Sequence, residues 1–421
     1  MRPSKPILIV GSGISGLILA QYLRKEGVPF RIFERDTDLA TRGLGWGLTL
    51  HWSLPALRSL LPGDLVARLP EAYVDRVAVE EGRASTFPFF DLSTGELKAS
   101  TPMASEDTRI RVSRDKFRRL LATGVDIQWC KAANHIETQD DGSVSVLFDD
   151  GSVSQGSVVV ACDGGNSRLR QQLFPEQENH QIPVGLIGLK LNVMPDDIEP
   201  VRQLDPYFLQ GTASKNDSYV YFSVLDAPGK DGSDTRAKSN ETYTCQVVVS
   251  WPIRDGFFGS ASPIAVPGSN KHRLLWIKNL ASTWAEPFRT LLTRLPSSTD
   301  SKTLKLTDWA PPKGLRTSGF VALVGDALHP MAMYRGEGAN HAVVDVLDFV
   351  ELVLPHLTTG GETNRTQVRV ALDQYEDRVV ARARPAVLAS RRACLDAHDW
   401  ACIDAQSPLL SKRAMHISFE E

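Results

Sequence analysis

Short apolar runs alternate with helical stripes along the first third of the chain. The first run, Pro6-Ile-Leu-Ile-Val10, is apolar on both faces, as a strand buried from both sides must be, and it passes straight into Gly-Ser-Gly-Ile-Ser-Gly. A helical stripe through Leu17, Ala20 and Leu23 follows, with Arg24 and Lys25 in its last turn and Gly27 as its stop. Pro29-Phe-Arg-Ile-Phe33 predicts a second strand that closes on Glu34, completing a β-α-β unit. Glycines at 43, 45 and 47 predict backbone pressed against something flat. Ser113 is placed to cap a helix over 114–122 whose Phe117, Leu120 and Leu121 share one face.

Strands are expected around Ile127, at Val144–Phe148 and at Val158–Ala161, with Asp-Asp-Gly turns at 140–142 and 149–151. From about 182 to 278 the pattern turns β-rich, through Val184–Val193, Tyr219–Leu225 and Tyr243–Trp251; the polar, glycine-rich stretch 226–242 reads as a surface loop. A buried strand over Phe320–Val324 then restores the first pattern, and helices follow to about Ser390. Antiparallel strands set between two halves of an α/β pattern predict a second lobe carried on the first.

Composition narrows the function classes. With 421 residues the chain is long enough for two or three lobes, and Lys+Arg 47 against Asp+Glu 50 gives a net charge of -3, which argues against a nucleic-acid or anionic-lipid partner. The five scattered cysteines show no C-x-x-C and no histidine companions, so no metal site is expected and reduced thiols in a cytoplasmic protein are. Arg2 and Lys5 before an apolar run imitate a signal peptide, but three glycines interrupt that run and no other window suggests stable membrane insertion.

Three motifs carry candidate chemistry. Gly11-x-Gly13-x-x-Gly16 follows a strand and opens a helix, with Glu34 ending the next strand: glycines admit a pyrophosphate to the helix N-terminus, and the carboxylate accepts ribose hydroxyls. Arg35 beside it hints at a 2′-phosphate or is a solvated charge. The strand 158–161 runs into Cys-Asp163-Gly164, and the strand at 320–324 runs into Gly325-Asp326-Ala-Leu-His329-Pro330, followed by Arg335-Gly336-Glu337-Gly338-Ala339-Asn340. Strand ends carrying aspartates, with a Gly-x-Gly turn opening a helix, predict one shared crevice. No Gly-x-Ser-x-Gly, P-loop or His-Glu-x-x-His motif occurs, nor a second Gly-x-Gly-x-x-Gly.

Taken in this order, the three motifs resemble those of the class A flavoprotein monooxygenases, the para-hydroxybenzoate hydroxylase family, and especially its fungal natural-product branch, over nearly the whole chain. The resemblance implies an α/β fold: a Rossmann-like FAD-binding domain of glutathione-reductase type over 1–75, 105–180 and 303–385, an inserted β-sheet substrate domain over 76–104 and 181–302, and a C-terminal helical segment over 386–421. It implies that Gly11, Gly13, Gly16, Glu34 and Arg35 hold the adenosine side of FAD. Gly47, Arg114, Asp163 and Asp326 then serve the rest of it, and Gly336, Gly338, Ala339 and Asn340 the flavin edge. Arg42 and His329 are the catalytic candidates. NADPH or NADH and O2 would be co-substrates, and a C4a-hydroperoxyflavin would hydroxylate or epoxidise a phenol, indole or alkene in a monomer or homodimer. A flavin-dependent dehydrogenase, or a non-catalytic protein on the same fold, is the alternative.

Two departures from the family pattern stand out. Ala332-Met333 replaces a Pro-Pro pair over the flavin, with Pro330 earlier, and Glu337 puts a negative charge in the flavin-facing turn unless it points to solvent or pairs with Arg335. His51, His329 and His341 are acid/base candidates or structural histidines. Trp46, Trp251, Trp276, Tyr221, Phe222 and Met333 line a substrate cavity or pack in the core.

Overall fold

Ile7–Val10 lies at the centre of a five-stranded parallel sheet in the computed structural model, which describes residues 5–41, 45–139, 143–229, 241–358 and 365–420. Val158–Ala161 and Phe30–Phe33 flank it, and Val321–Leu323 and Ile127–Gln128 form the edges. Parallel strands need covered crossovers, and residues 7–10 and 158–161 are accordingly buried throughout. The register sets Val10 beside Phe33 and Ala161, and Ala161 beside Leu323. Gly11, Glu34, Asp163 and Asp326 therefore leave the sheet at one edge, the carboxyl end. Helix Ile14–Lys25 packs on helix Gly338–Leu352, which in turn packs on the long helix Arg365–Asp396.

A second, seven-stranded sheet stands over that edge. Its order is 301–303, 184–193, 243–252, 219–226, 208–212, 89–91 and 97–99, antiparallel except where Phe208–Thr212 runs parallel to Phe89–Asp91. Its apolar face has its own core, built on Trp251, Phe222, Trp284 and Phe288. The first core surrounds the parallel sheet. This is the α/β, Rossmann-like fold with an inserted sheet that the sequence pattern implies.

The structure corrects several expectations. Residues 270–281 are a helix, Asn270–Ala281, because Leu274, Ile277 and Ala281 recur at helical spacing and bury one face. Ser113 occupies the cap position before helix Arg114–Leu121, but its side chain makes no capping bond. The chain beyond the long helix is not helical to 421. The helix stops at Asp396, and Asp399, Asp404 and Ser407 then turn the backbone locally with one short turn at Trp400–Cys402. The turn at 140–142 and most of the loop at 226–242, residues 230–240, lie outside the described residues.

His398 docks this last segment on the second sheet. The carbonyl of Cys394 lies 2.7 Å from His398 Nδ1; a carbonyl only accepts, so Nδ1 carries the proton and Nε2 accepts from Ser250 Oγ at 2.9 Å. Burial pushes the imidazole from 6.5 down to about 4. Between those values the unfolded chain holds a proton that the folded chain does not, so stability falls as pH drops through that window. Wild-type protein should lose stability relative to His398→Gln as pH falls from about 7 to about 4.5, by up to roughly 1.4 kcal/mol per unit. Urea midpoints of the two proteins across this range check it, and a constant difference counts against it.

Candidate active site

The glycine loop has no room for side chains at two of its three glycines. A Cβ on Gly11, at φ +105°, would lie 2.4 Å from the Cys162 carbonyl oxygen, and one on Gly16 would lie 2.0 Å from that of Gly11; around Gly13 nothing lies within 4 Å. Two glycines thus bring strand and helix into contact while the third opens the approach to the helix's first amides. Glu34 Oε2 accepts from Ser12 N at 2.8 Å and Ser12 Oγ at 2.9 Å. Arg118, only 3% exposed, donates through Nε to the Ser12 carbonyl at 2.8 Å and through Nη2 to Ser12 Oγ at 2.9 Å, and it stands 3.5 Å from Glu34. Sequence reading missed Arg118. Its signal is the four-residue step from Arg114, which puts both guanidinium groups on one helix face.

Asp163 and Asp326 leave neighbouring strands. Asp163 Oδ1 is buried with no partner, and burial raises the carboxyl's pKa against the opposing pull of Ser167, backbone amides and Arg170. Asp326 is exposed to the cavity, and its partial desolvation there raises its carboxyl's pKa, opposed by the charges of His329, Arg114 and Arg170. Arg170 ties the two strand ends together, bonding the carbonyls of Ala327 at 2.9 Å and Gly165 at 2.7 Å.

The turn Gly336–Ala339 opens helix Gly338–Leu352, and Gly336 takes the left-handed conformation at φ +66°. The amides of the helix's first turn have no partner inside it, so they form an electropositive edge. Glu337 does not reach solvent. It is 1% exposed, accepts from Arg335 Nε at 2.7 Å and from Trp52 Nε1 at 3.3 Å.

A cavity of about 660 Å³ joins these parts beneath the second sheet. Gly11, Gly13, Glu34, Arg35, Gly47 and Arg114 line it, and so do Asp163, Asp326, Gly336, Gly338 and Ala339. Three expected residues do not. Gly16 is packed away from it. Asn340 is wholly buried, its amide spent on His51 N, Ser53 Oγ and the Thr49 carbonyl, so it fixes the 49–53 segment. His329 is fully buried too, with Nε2 2.6 Å from Asp345 Oδ2, in a cluster with Arg382 and His341 behind the loop. Arg42 lies outside the described residues.

Trp46, Tyr221 and Met333 face the cavity, whereas Trp251, Phe222 and Trp276 belong to the second core. Arg111 was not foreseen. It lines the cavity, and its planar guanidinium is the flat group against which Gly47 is pressed, since a Cβ there would meet Nη2 at 2.4 Å. It donates to Thr49 Oγ1 at 2.8 Å, Tyr221 OH at 2.6 Å and Ser223 Oγ at 2.7 Å, joining the two lobes. Among the described residues no cluster of side chains suited to a metal ion occurs, and no helix is long and apolar enough to cross a membrane.

Comparison with known proteins gives concordant matches. The FAD binding domain family matches residues 4–237. A protein of Arthroderma benhamiae is 42% identical over 419 residues, covering 97% of this chain and 95% of that one. The FAD-dependent monooxygenase dbaB of Emericella nidulans is 35% identical over 366 residues, covering 86% and 90%. Among solved structures, 2,6-dihydroxypyridine-3-hydroxylase from Arthrobacter nicotinovorans superposes with a TM-score of 0.69 at 18% identity, covering 99% of this chain and 98% of that one.

Arg118→Met tests the tie between the glycine loop and the second strand. It removes both bonds of the buried guanidinium to Ser12 and the positive charge 3.5 Å from Glu34, so unfolding free energy should fall by about 3 kcal/mol. Arg118→Lys, which restores charge but not the two-pronged bond to Ser12, should recover less than half of that. Denaturant titration measures both, and a loss under about 0.5 kcal/mol for the methionine variant would contradict the role.

Proposed function

Because the chain belongs to the FAD binding domain family and is an enzyme of the FAD-dependent monooxygenase kind, we propose how its own residues serve that chemistry and on what it acts. The substrate is an electron-rich small organic molecule, a phenol, indole or alkene, which the enzyme hydroxylates or epoxidises with NADPH or NADH and O2 as co-substrates. The observation that carries this reading is the convergence of the glycine loop, Asp163 and Asp326 on one cavity of about 660 Å³.

The residues present fit FAD. The cradle at Gly11 and Gly16 would be filled by any side chain, Gly13 is open, and an orphaned carboxylate oxygen of Asp163 awaits a donor. When bound, FAD supplies the redox chemistry, taking electrons from a nicotinamide nucleotide and activating oxygen. Gly11, Gly13 and the first amides of helix Ile14–Lys25 would hold its pyrophosphate, with Glu34 and Arg35 at the adenosine end. Arg114 and Asp326 would hold the ribityl chain, and the amides at Gly336–Ala339 the electron-rich edge of the ring, where fixed donors stabilise negative charge without reorganising. His329 acts from behind, holding the 325–330 loop through Asp345.

The second sheet and Tyr221, Met333 and Phe208 close the remaining volume, giving a mostly apolar chamber that keeps water from the reacting atoms. This placement supports the division into an FAD domain and a β-sheet substrate domain. All five cysteines are free thiols, which supports a cytoplasmic setting.

The purified protein should be yellow, and its NAD(P)H oxidation under air should rise with one compound class among phenols, indoles and polyenes. Labelled oxygen from O2 should enter the product; turnover without label would mark a dehydrogenase instead. Asp326→Ala should lower FAD retention on dialysis by roughly ten-fold or more, the loss of a buried charge-assisted contact. Full retention of FAD and of hydroxylation in that variant would remove Asp326 from the site.

A further inference from the structure

The cavity is lined by a cation with which no carboxylate pairs among the described residues. Arg413 lies in the irregular segment after the long helix, far in sequence from every motif, yet its side chain lines the cavity. Among the described residues its guanidinium bonds only backbone carbonyls: Nε reaches Arg335 O at 3.4 Å, Nη1 Ser411 O at 3.1 Å and Nη2 Leu409 O at 3.1 Å. Among the described residues no carboxylate pairs with it. The nearest acid of influence, Glu337, is already engaged by Arg335 at 2.7 Å. Burial and the neighbouring Arg335 charge lower the Arg413 pKa to about 10. An arginine has five N–H donors, so two remain for a ligand.

The segment is built to carry this residue. Arg335 bonds the Pro408 carbonyl and Ser411 Oγ, the latter at 2.8 Å, and thereby latches residues 408–413 to the loop that leads into Gly336. Arg111 lines the same cavity; among the described residues it is bonded only to hydroxyl groups, and its Nε is buried without a partner. Arg413 is half-buried at the cavity wall; a cation held there without a counter-charge is costly, and it is kept where a ligand supplies the missing charge.

We propose that Arg413, carried into the cavity by the C-terminal segment, determines specificity by binding an oxyanion of the substrate, a carboxylate or an ionised phenol or enol, with Arg111, which lines the same cavity, adding positive potential. This rests on the monooxygenase reading and narrows its substrate to an anionic aromatic or enolic molecule. A carboxylate on the substrate would take the two free N–H donors as a charge-assisted pair.

The test uses the FAD-loaded full chain and three probes at neutral pH: 2,4-dihydroxybenzoate for a carboxylate, 4-nitrophenol across its own ionisation for a phenolate, and resorcinol as the uncharged reference. Binding is read from the perturbation of the flavin absorption spectrum. Wild type should bind at least one anionic probe roughly 10- to 100-fold more tightly than resorcinol, and which probe it prefers separates carboxylate from phenolate. Arg413→Gln should abolish that ratio, and Arg413→Lys, which retains the charge, should keep part of it. A residue that only props up the segment would weaken all three probes alike and leave the ratio intact. An unchanged ratio in Arg413→Gln overturns the proposal. So does a wild-type enzyme that binds no anionic probe better than resorcinol, or an Arg413→Gln enzyme whose only loss is FAD affinity. Should Arg413→Gln fail to fold, a lysine variant with an undiminished ratio and no loss of affinity overturns it too. A chain that takes up no FAD would instead sink the monooxygenase reading itself.

Discussion

The carbonyl oxygen of Gly11 occupies the place where a side chain at position 16 would begin, and the carbonyl of Cys162 occupies that of a side chain at position 11. This double contact of backbone with backbone lets the central strand, its helix and the strand Val158–Ala161 meet without a gap. The strand ends then lie close enough for one carboxylate, Glu34, to hold the Ser12 amide and for one arginine, Arg118, to span Ser12 and Glu34. Every later feature of the site, the placement of Asp163 and Asp326 included, inherits its position from that packing.

Behind the site, charge is used to fix a loop that secondary structure does not hold. Burial alone would raise the Asp345 carboxyl, but His329 and Arg382 overcome it and hold the group well below the usual carboxylate range. It therefore stays ionised, accepting from the Gly325 amide at 2.8 Å, from His329 and from Arg382 at 2.9 Å. Arg382 reaches on to Asp348 at 2.7 Å, tying the long helix to helix Gly338–Leu352. A buried charged network of this kind contributes more to a single geometry than to net stability. The loop it fixes is the one that presents Asp326.

The elements were legible in the sequence because they follow from local rules. Ile7–Val10, Val158–Ala161 and Val184–Val193 are continuous or alternating apolar runs, and the glycine loop has a strand before it and a helix after it. What the sequence did not yield are the side chains whose partners are remote. Arg111 meets Tyr221, Arg118 meets Ser12 and Arg413 meets Arg335, pairings separated by roughly a hundred residues in two cases. No periodicity encodes them. Asn340 illustrates the converse error: its place in a glycine-rich turn pointed to a ligand, while its three bonds go to the 49–53 segment. The helix at 270–281 was hidden by its mixed polarity, since only one narrow stripe of it is buried.

The departures at 332–337 become intelligible when loop and C-terminal segment are considered together. Without a proline pair to stiffen it, the stretch from Pro330 to Gly336 takes its rigidity from bonds to other elements: Trp309 N to the Pro330 carbonyl at 3.0 Å, and Arg335 to the 408–412 backbone. Glu337 then completes the arrangement. Left alone in the turn proposed to face the flavin, its charge would oppose negative charge building there; paired with Arg335 it is neutralised, and the same arginine anchors the segment that bears Arg413. The acid that looked out of place is the counter-charge that permits a latch of arginine at the wall of the cavity. With Glu337 spent in that way, it is not a counter-charge for Arg413, which lines the same cavity.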